Sequence, residues 1–405
     1  MNIVLATYGS RGDVQPMLAL SLALLHKGHD VLLAAPPEKE NWADKMGCPF
    51  YPLGSNLTAF IDTLEKVHSP ISLARSVLFL RKELKTQFEI LPRIVDKADL
   101  VIGSSLIGAL PSIAEARRIP YRYIAFTPQL LPSACHPFPA FKYQHLPRWF
   151  NRMTWQIANY LDHFNNIKLI NRYRKEMGLE PIYNAWHHIL GKHVIVASDP
   201  ALANVPDDVR ALKFTQTGYM HLKQPTHSSH ELKKFLEKGP APIYAGFGSM
   251  PKSDQMNCVA TIVKAARSAG QRVVINRFWG EPSSFDRCED VFFIGKYPHL
   301  NLFSHMSAII HHGGAGTTAS AAICGVPQII VPHLLDQYYW GNQIQRLQIG
   351  PKPIWRSKLK VSNLAKAIEK CVLSSPIKDN ARKIARMIQQ IDSLKTTIMA
   401  IFDSL

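Results

Sequence analysis

Two histidines and three glycines follow an apolar run in "SAIIHHGGAGTTASAAICGVPQIIVPHLLDQ", residues 307–337, and an Asp-Gln pair stands 24 residues beyond His312. Glycine weakens regular structure, so a cluster of it marks a place where something must approach the backbone closely. Small residues after the glycines suit a helix whose first turn offers unpaired amide donors and a partial positive charge. That chemistry is anion binding, and the anion expected is a diphosphate. An imidazole can add a donor to a phosphate oxygen, and the hydroxyl of Thr317 or Thr318 a further one. His311 and His312 are adjacent on a strand end and point to opposite faces, so one of them faces the ligand. The competing reading of the glycines is a tight strand-to-helix turn that needs only close packing.

A second glycine-rich strand end, "YAGFGSM", carries Gly246, Gly248 and Ser249. Loops at the carboxyl ends of parallel strands converge on one crevice, so this loop is expected to face the His312 loop. Asp336 and Gln337 emerge beyond the strand "QIIVP". A carboxylate accepts and an amide both donates and accepts, which suits the vicinal hydroxyls of a sugar. Alone, the pair is an ordinary polar loop.

The elements that must position these loops alternate. "NIVLAT", the helical "VQPMLALSLALLHKG" and "HDVLLAAP" form one β-α-β unit, with Gly28 ending its helix. Strands are expected at 100–105, 121–127 and 193–198. After the polar stretch 219–239 the pattern restarts with a strand at 243–249, a helix over about 254–269, the strands "QRVVINR", "VFFIGK" and "AIIHHGG", and a helix at 316–324. Two such series predict an α/β chain with two doubly wound parallel sheets. The segment 141–175 breaks the rhythm. Its apolar residues recur at helical spacing among Arg148, Arg152, Lys168, Arg172, Arg174 and Lys175, and it reads either as a helix packed on the first sheet or as one that faces lipid or acceptor. The segment 73–85 reads the same two ways.

The 405 residues suit two domains, and 46% are hydrophobic. The start reads as a strand rather than a leader, and no apolar run is long enough to span a bilayer. Six scattered cysteines form no CxxC pair, which points to a reduced, cytoplasmic setting without a zinc site. The net charge of +17 favours an anionic partner. No nucleic-acid motif is present, so the expected partner is an anionic membrane surface, with the protein peripheral on its inner face.

The stretches "HHGGAGTTASAAICGVPQIIVPHLLDQYYWGNQ", "YAGFGSM" and "GSRGDVQP" resemble those of inverting family 1 glycosyltransferases of the GT-B fold, in the branch of sterol 3β-glucosyltransferases and antibiotic-aglycone glycosyltransferases. The resemblance spans almost the whole chain. It implies an acceptor-binding lobe at 1–218, a linker at 219–239, a nucleotide-sugar lobe at 240–380 and a helical tail at 381–405 that packs back on the first lobe. It implies that His312, Gly314 and the amides of Ala315, Gly316 and Thr317 contact a donor pyrophosphate. Ser249 would meet it from the facing loop. Asp336 and Gln337 would hold sugar hydroxyls, and Tyr297 and His299 with Pro298 would bed the base. Two departures stand out. Lys296 or Tyr297 falls where the plant branch stacks a tryptophan on uracil, and Ser320 falls where that branch has a ribose-binding glutamate. UDP is favoured over TDP by the analogy alone.

Displacement at an anomeric carbon needs a group that takes the acceptor hydroxyl's proton. The loop Gly9, Ser10, Arg11, Gly12 leads to Asp13, which the resemblance makes that base, with His136 in reserve. The structural reading of Asp13 is a cap on a helix starting at Val14. With no Asp-x-Asp motif, neither a metal nor a cofactor is expected, and leaving-group charge would be met by His312, the amides and the helix dipole. The reading is therefore an enzyme that moves a hexose from a nucleotide-diphosphate sugar to a lipophilic hydroxyl acceptor such as a sterol, another lipid or a phenolic or polyketide aglycone. The alternatives are a nucleotide-sugar epimerase and a non-catalytic nucleotide-sugar or lipid-binding protein on the same fold.

Overall fold

A computed structural model describes residues 1–62, 70–210, 212–224, 229–247, 255–277 and 288–403. The first lobe holds β1 (Asn2–Tyr8), β2 (Asp30–Ala35), β3 (Phe50–Pro52), β4 (Leu100–Ser105), β5 (Tyr121–Ala125), β6 (His193–Val196) and β7 (Lys213–Gln216). They form one parallel sheet in the order β3-β2-β1-β4-β5-β6-β7. The second lobe holds β8 (Ile243–Gly246), β9 (Val273–Asn276), β10 (Val291–Ile294), β11 (Ala308–His311) and β12 (Gln328–Ile330). Their order is β10-β9-β8-β11-β12, again parallel throughout.

The apolar runs of the sequence explain why both faces of each sheet are covered. Six of the seven residues of β1 are buried, as are all of β6, β8 and β11. A strand buried on both faces needs a continuous apolar run rather than alternation. On one face of the first sheet, Val14, Met17, Leu18, Leu20 and Leu24 of the helix Arg11–His26 pack against Ile3, Leu5, Leu33 and Ile102. The helix Ser393–Phe402 adds Ile398 and Ile401 to that core. Its end is fixed by the buried Arg122, whose Nε donates to the Ile401 carbonyl at 3.2 Å. In the second lobe, Val259, Ile262 and Val263 of the helix Gln255–Ser268 and Leu364 and Ile368 of the helix Val361–Leu373 close over Ile243, Ile275 and Ile310.

The strands at 121–125 and 193–196 end sooner than the apolar runs suggest, and of the strand expected at 243–249 the residues 248 and 249 lie outside the described residues. The short β3 and β7 were not expected. Over 141–175 there are two helices, Arg148–Asp162 and Lys168–Glu176, joined by a π-helical turn over His163–Ile167. The first of them buries Asn151, Thr154 and Trp155 while Trp149, Ile157, Tyr160 and Leu161 stay exposed. Its polar residues thus lie on the inner side and much of its apolar surface faces out.

Candidate active site

The crevice is built at the carboxyl edges of β1, β4 and β11. On the first-lobe side, the helix Arg11–His26 begins three residues before the expected Val14. Ser10 is its N-cap and Asp13 its third residue. The two form a capping box: Ser10 Oγ accepts from the Gly12 amide at 3.3 Å, and the Ser10 amide and Oγ donate to Asp13 Oδ2 at 2.7 and 2.9 Å. Asp13 is therefore not the cap expected from the sequence, although the Ser-x-x-Asp spacing carried that signal. Its carboxylate folds over Gly9, where any Cβ would collide with it. From β4, Ser105 Oγ donates to the other oxygen, Oδ1, at 2.7 Å.

On the second-lobe side, β11 ends at His311 and the helix Ala315–Ile323 starts three residues after His312. His311 is fully buried, its Nε2 2.9 Å from Gln328 Oε1 and its Nδ1 accepting from the Gly313 amide at 3.1 Å. The two imidazole rings meet edge to face, with centroids 6.3 Å apart. His312 turns back over the loop, so that a Cβ on Gly314 would lie 2.5 Å from its Nε2. Burial pushes His312 down to about 4, which keeps the ring neutral, and its Nδ1 has no partner among the described residues. Gly313 adopts φ +92°, a conformation costly for any side chain, and a Cβ there would press on Ile330. The first intrahelical bond runs from the Thr318 amide to the Gly314 carbonyl. The amides of Ala315, Gly316 and Thr317 therefore precede the ladder and are the donors that such a terminus offers an anion. Thr318 Oγ1 bonds back to the Gly314 carbonyl at 3.0 Å, which leaves Thr317 as the hydroxyl able to serve a ligand. Ser249 lies outside the described residues.

Arg11 brings a cation to this side of the site, and His299 lies within reach of its charge. The Arg11 guanidinium sits 4.9 Å from the Trp42 ring, and His299 stacks on Phe303 at 4.5 Å. Burial above all, then Arg11 and His312, pushes His299 down to about 3. Tyr297 is half-buried against Leu302 and Phe303. Lys39, after β2, was not anticipated. It pairs with Glu38 at 3.6 Å, and burial lowers its pKa, with the charges of Arg11 and Lys296 acting in the same direction.

Asp336 precedes the helix Gln337–Arg346 and follows Leu335, which is strained at φ +51°. Burial, and next the negative charge of Asp13, push Asp336 up to about 7. The charge of Asp13 thus reaches Asp336 across the seam. Gln337 Oε1 accepts from the amides of His333 and Leu334 at 2.8 and 3.1 Å, so its NH2 is the group left to meet a hydroxyl. Ser320 Oγ bonds the Gly316 carbonyl within its own helix. His136 is buried between Trp155 and Tyr339, with ring centroids 6.1 and 5.9 Å away, and burial pushes it down to about 4. It joins an aromatic wall with Phe138 and Trp186 and has no described contact with Asp13.

One residue ties the two loops together. Pro16 has no amide to give the Gly12 carbonyl, four residues earlier in the helix. Tyr219, just after β7, supplies the missing donor: its hydroxyl bonds Gly12 O at 3.3 Å. The same hydroxyl lies 2.6 Å from where a Cβ of Gly316 would be. Gly316 is thus required by the closeness of the two lobes as well as by any ligand.

Two nucleotide-style lobes around a crevice of this kind define the GT-B architecture. Residues 3–135 match the model of the glycosyltransferase family 28 N-terminal domain, and residues 286–391 that of the erythromycin biosynthesis protein CIII-like C-terminal domain. The vancomycin aglycone glucosyltransferase of Amycolatopsis orientalis is 33% identical over 355 residues, covering 86% of this chain and 85% of its own. The sterol 3-beta-glucosyltransferase UGT80B1 of Arabidopsis thaliana is 29% identical over 429 residues, covering 99% and 67%. The spinosyn forosaminyltransferase SpnP superimposes with a TM-score of 0.74 at 15% identity, over 100% of this chain and 98% of its own. The glycosyltransferase VinC does so with 0.72 at 19%, over 100% and 99%. The chain belongs to the GT-B glycosyltransferase family that holds these aglycone and sterol glucosyltransferases, and it is a glycosyltransferase.

Proposed function

We propose that the protein transfers a hexose, with inversion, from a nucleotide-diphosphate sugar to a hydroxyl of a lipophilic acceptor. Asp13 removes the acceptor proton, and the His312 loop receives the leaving diphosphate. The observation that carries this reading is the meeting of two loops at one seam: Asp13, with both carboxylate oxygens fixed by hydrogen bonds, and the unpaired amides of Ala315–Thr317 beside a neutral His312. Leaving-group charge then falls on amide dipoles and imidazole N–H in a buried site, where such interactions are strong. Asp336 and Gln337 hold the sugar, and Tyr297 and His299 line the base. Ser249 remains assigned to the facing phosphate contact by resemblance.

UDP is the preferred donor nucleotide and TDP the competitor. TDP is what the VinC structure holds, and one relative at 30% identity is a dTDP-epi-vancosaminyltransferase. The acceptor class follows the relatives, which act on a sterol or an antibiotic aglycone. No metal or cofactor is assigned a part. A membrane-lodged acceptor also suits the surface. Exposed Leu78, Leu80, Trp149, Tyr160 and Leu161 lie among exposed Arg75, Arg81, Lys82, Arg148, Arg152 and Lys168, on a chain of net charge +17. Among the described residues no helix is long and apolar enough to cross a membrane. Contact with an anionic lipid surface would therefore be peripheral.

The test is a screen of labelled UDP- and TDP-sugars against a lipid extract and a set of aglycones, read by mass, with Asp13→Asn alongside. The variant should keep donor affinity and lose about 100-fold or more in transfer, the scale of a general base. Wild-type turnover in Asp13→Asn removes the assigned role. Equal sedimentation with neutral and anionic vesicles removes the membrane assignment.

A further inference from the structure

Ser105 stands at the end of β4 with φ +56°, in the left-handed region that non-glycine residues avoid. Such a residue costs of order 1–3 kcal/mol and persists only where its surroundings over-determine it. Here they do. Ser105 pairs in register with Tyr8 on β1, and the next amide, Leu106 N, bonds the Tyr8 carbonyl at 3.2 Å. On the other side, the Tyr123 hydroxyl of β5 donates to the Ser105 carbonyl at 2.9 Å. Three adjacent strands thus clamp one strained residue.

Glycine would meet the backbone requirement at no steric cost, and the sequence places glycines nearby at 103 and 108. What glycine lacks is the hydroxyl. That hydroxyl donates to Asp13 Oδ1 at 2.7 Å, across 92 residues of chain. Asp13 Oδ2 is meanwhile held by the Ser10 amide and hydroxyl at 2.7 and 2.9 Å. With Ser10 alone the carboxylate could still turn, because the terminal torsion of aspartate is broad. The Ser105 bond fixes its second oxygen and leaves that oxygen one lone pair for an incoming proton. The other groups near Asp13 are the phenols of Tyr123 and Tyr219, which sense its charge, and Asp336 from the second lobe.

We propose that Ser105 is a positioning residue: its strained backbone is retained because only this conformation lets the hydroxyl lock the Asp13 carboxylate toward the acceptor. The proposal rests on the reading of Asp13 as the base. A misplaced catalytic group costs rate rather than binding, and that difference separates positioning from mere structure.

The experiment uses the full chain with UDP-glucose and detergent-dispersed ergosterol, and compares Ser105→Ala, Ser105→Gly, Ser105→Asn and Asp13→Asn with wild type. Ser105→Ala should lower kcat about 10-fold or more while KM for UDP-glucose stays put. Ser105→Gly should lose the same factor and melt higher than Ser105→Ala, since both lack the hydroxyl and only glycine relieves the strain. Ser105→Asn, which tolerates the left-handed backbone and carries an amide donor, should recover most of the rate. In the Asp13→Asn background, Ser105→Ala should cost nothing further. A second readout needs no turnover. The carboxyl 13C resonance lost in Asp13→Asn should move in Ser105→Ala and return in Ser105→Asn. Unchanged kcat in both the alanine and glycine variants, an equal loss on the Asp13→Asn background, or an unmoved carboxyl resonance overturns the proposal. If Asp13→Asn is slow while Ser105→Ala is not, only the role of Ser105 falls. If Asp13→Asn turns over like wild type, the base assignment falls and takes this proposal with it.

Discussion

Gly314→Ala separates the diphosphate reading from the packing reading of the glycine loop. Gly314 is the N-cap of the helix Ala315–Ile323 with φ −65° and ψ 144°, a backbone that alanine adopts without strain. The poorer cap therefore costs about 0.5–1 kcal/mol, so Tm should fall by only a few degrees. The new methyl, however, would lie 2.5 Å from His312 Nε2 and 3.3 Å from Cδ2 and Cε1. Real carbon contacts need well over 3 Å, so the ring must swing away by about 1 Å, beyond hydrogen-bond reach of its former target. A hydrogen bond to a charged group is worth about 1.5–3 kcal/mol. Donor affinity should then fall by about 10- to 100-fold, measured by calorimetric titration with UDP and with TDP. His312→Ala should fall into the same range, and the double variant should be no weaker than either single one. A Gly314→Ala protein that binds both nucleotides as tightly as wild type would show that His312 does not touch the phosphates.

Three further outcomes follow from the buried groups. His136, His188, His221 and His312 are pushed down to about 4, and His299 and His311 to about 3, all chiefly by burial. Each stays neutral in the fold but takes a proton when unfolded, so stability present above about pH 6.5 is lost as the pH falls toward 4. At pH 5 each costs about 2 kcal/mol, and together they approach a typical total of about 5–15 kcal/mol. Tm should drop steeply between pH 6.5 and 5, and a flat profile down to pH 4.5 would contradict this. Asp336, raised to about 7, acts in the opposite direction: its stability is lost as the pH rises from about 4 through 7. Asp336→Asn should therefore melt higher than wild type at pH 8 and not at pH 4, and Asp13→Asn should reproduce part of that gain; equal differences at both pH values would refute the coupling. Tyr219→Phe strips the Gly12 carbonyl of its donor and should cost about 1 kcal/mol, read as a lower Tm with the Gly314→Ala sensitivity retained; an unchanged Tm would show that the seam does not depend on this bond.

The parts of the site that a sequence can show are those written in local pattern. The β-α-β alternation placed both sheets, because strands buried on two faces must be continuous apolar runs. The Ser10–Asp13 capping box was also written locally, yet the apolar run at Val14 drew the helix start three residues too late. Ser105 and Tyr219 carried no such signal. A serine at a strand end and a tyrosine after one are ordinary, and their roles arise only when β1, β4, β5 and the second lobe come together. Lys39 was hidden for the same reason. β3 and β7 are too short for their periodicity to register.

The most direct measurement is a crystal structure of the protein with UDP, and with TDP, at saturating concentration. The account predicts the diphosphate against the amides of Ala315, Gly316 and Thr317, with His312 in contact and Asp13 facing the vacated sugar site. Phosphate density away from residues 312–317, or none at saturation, would contradict it.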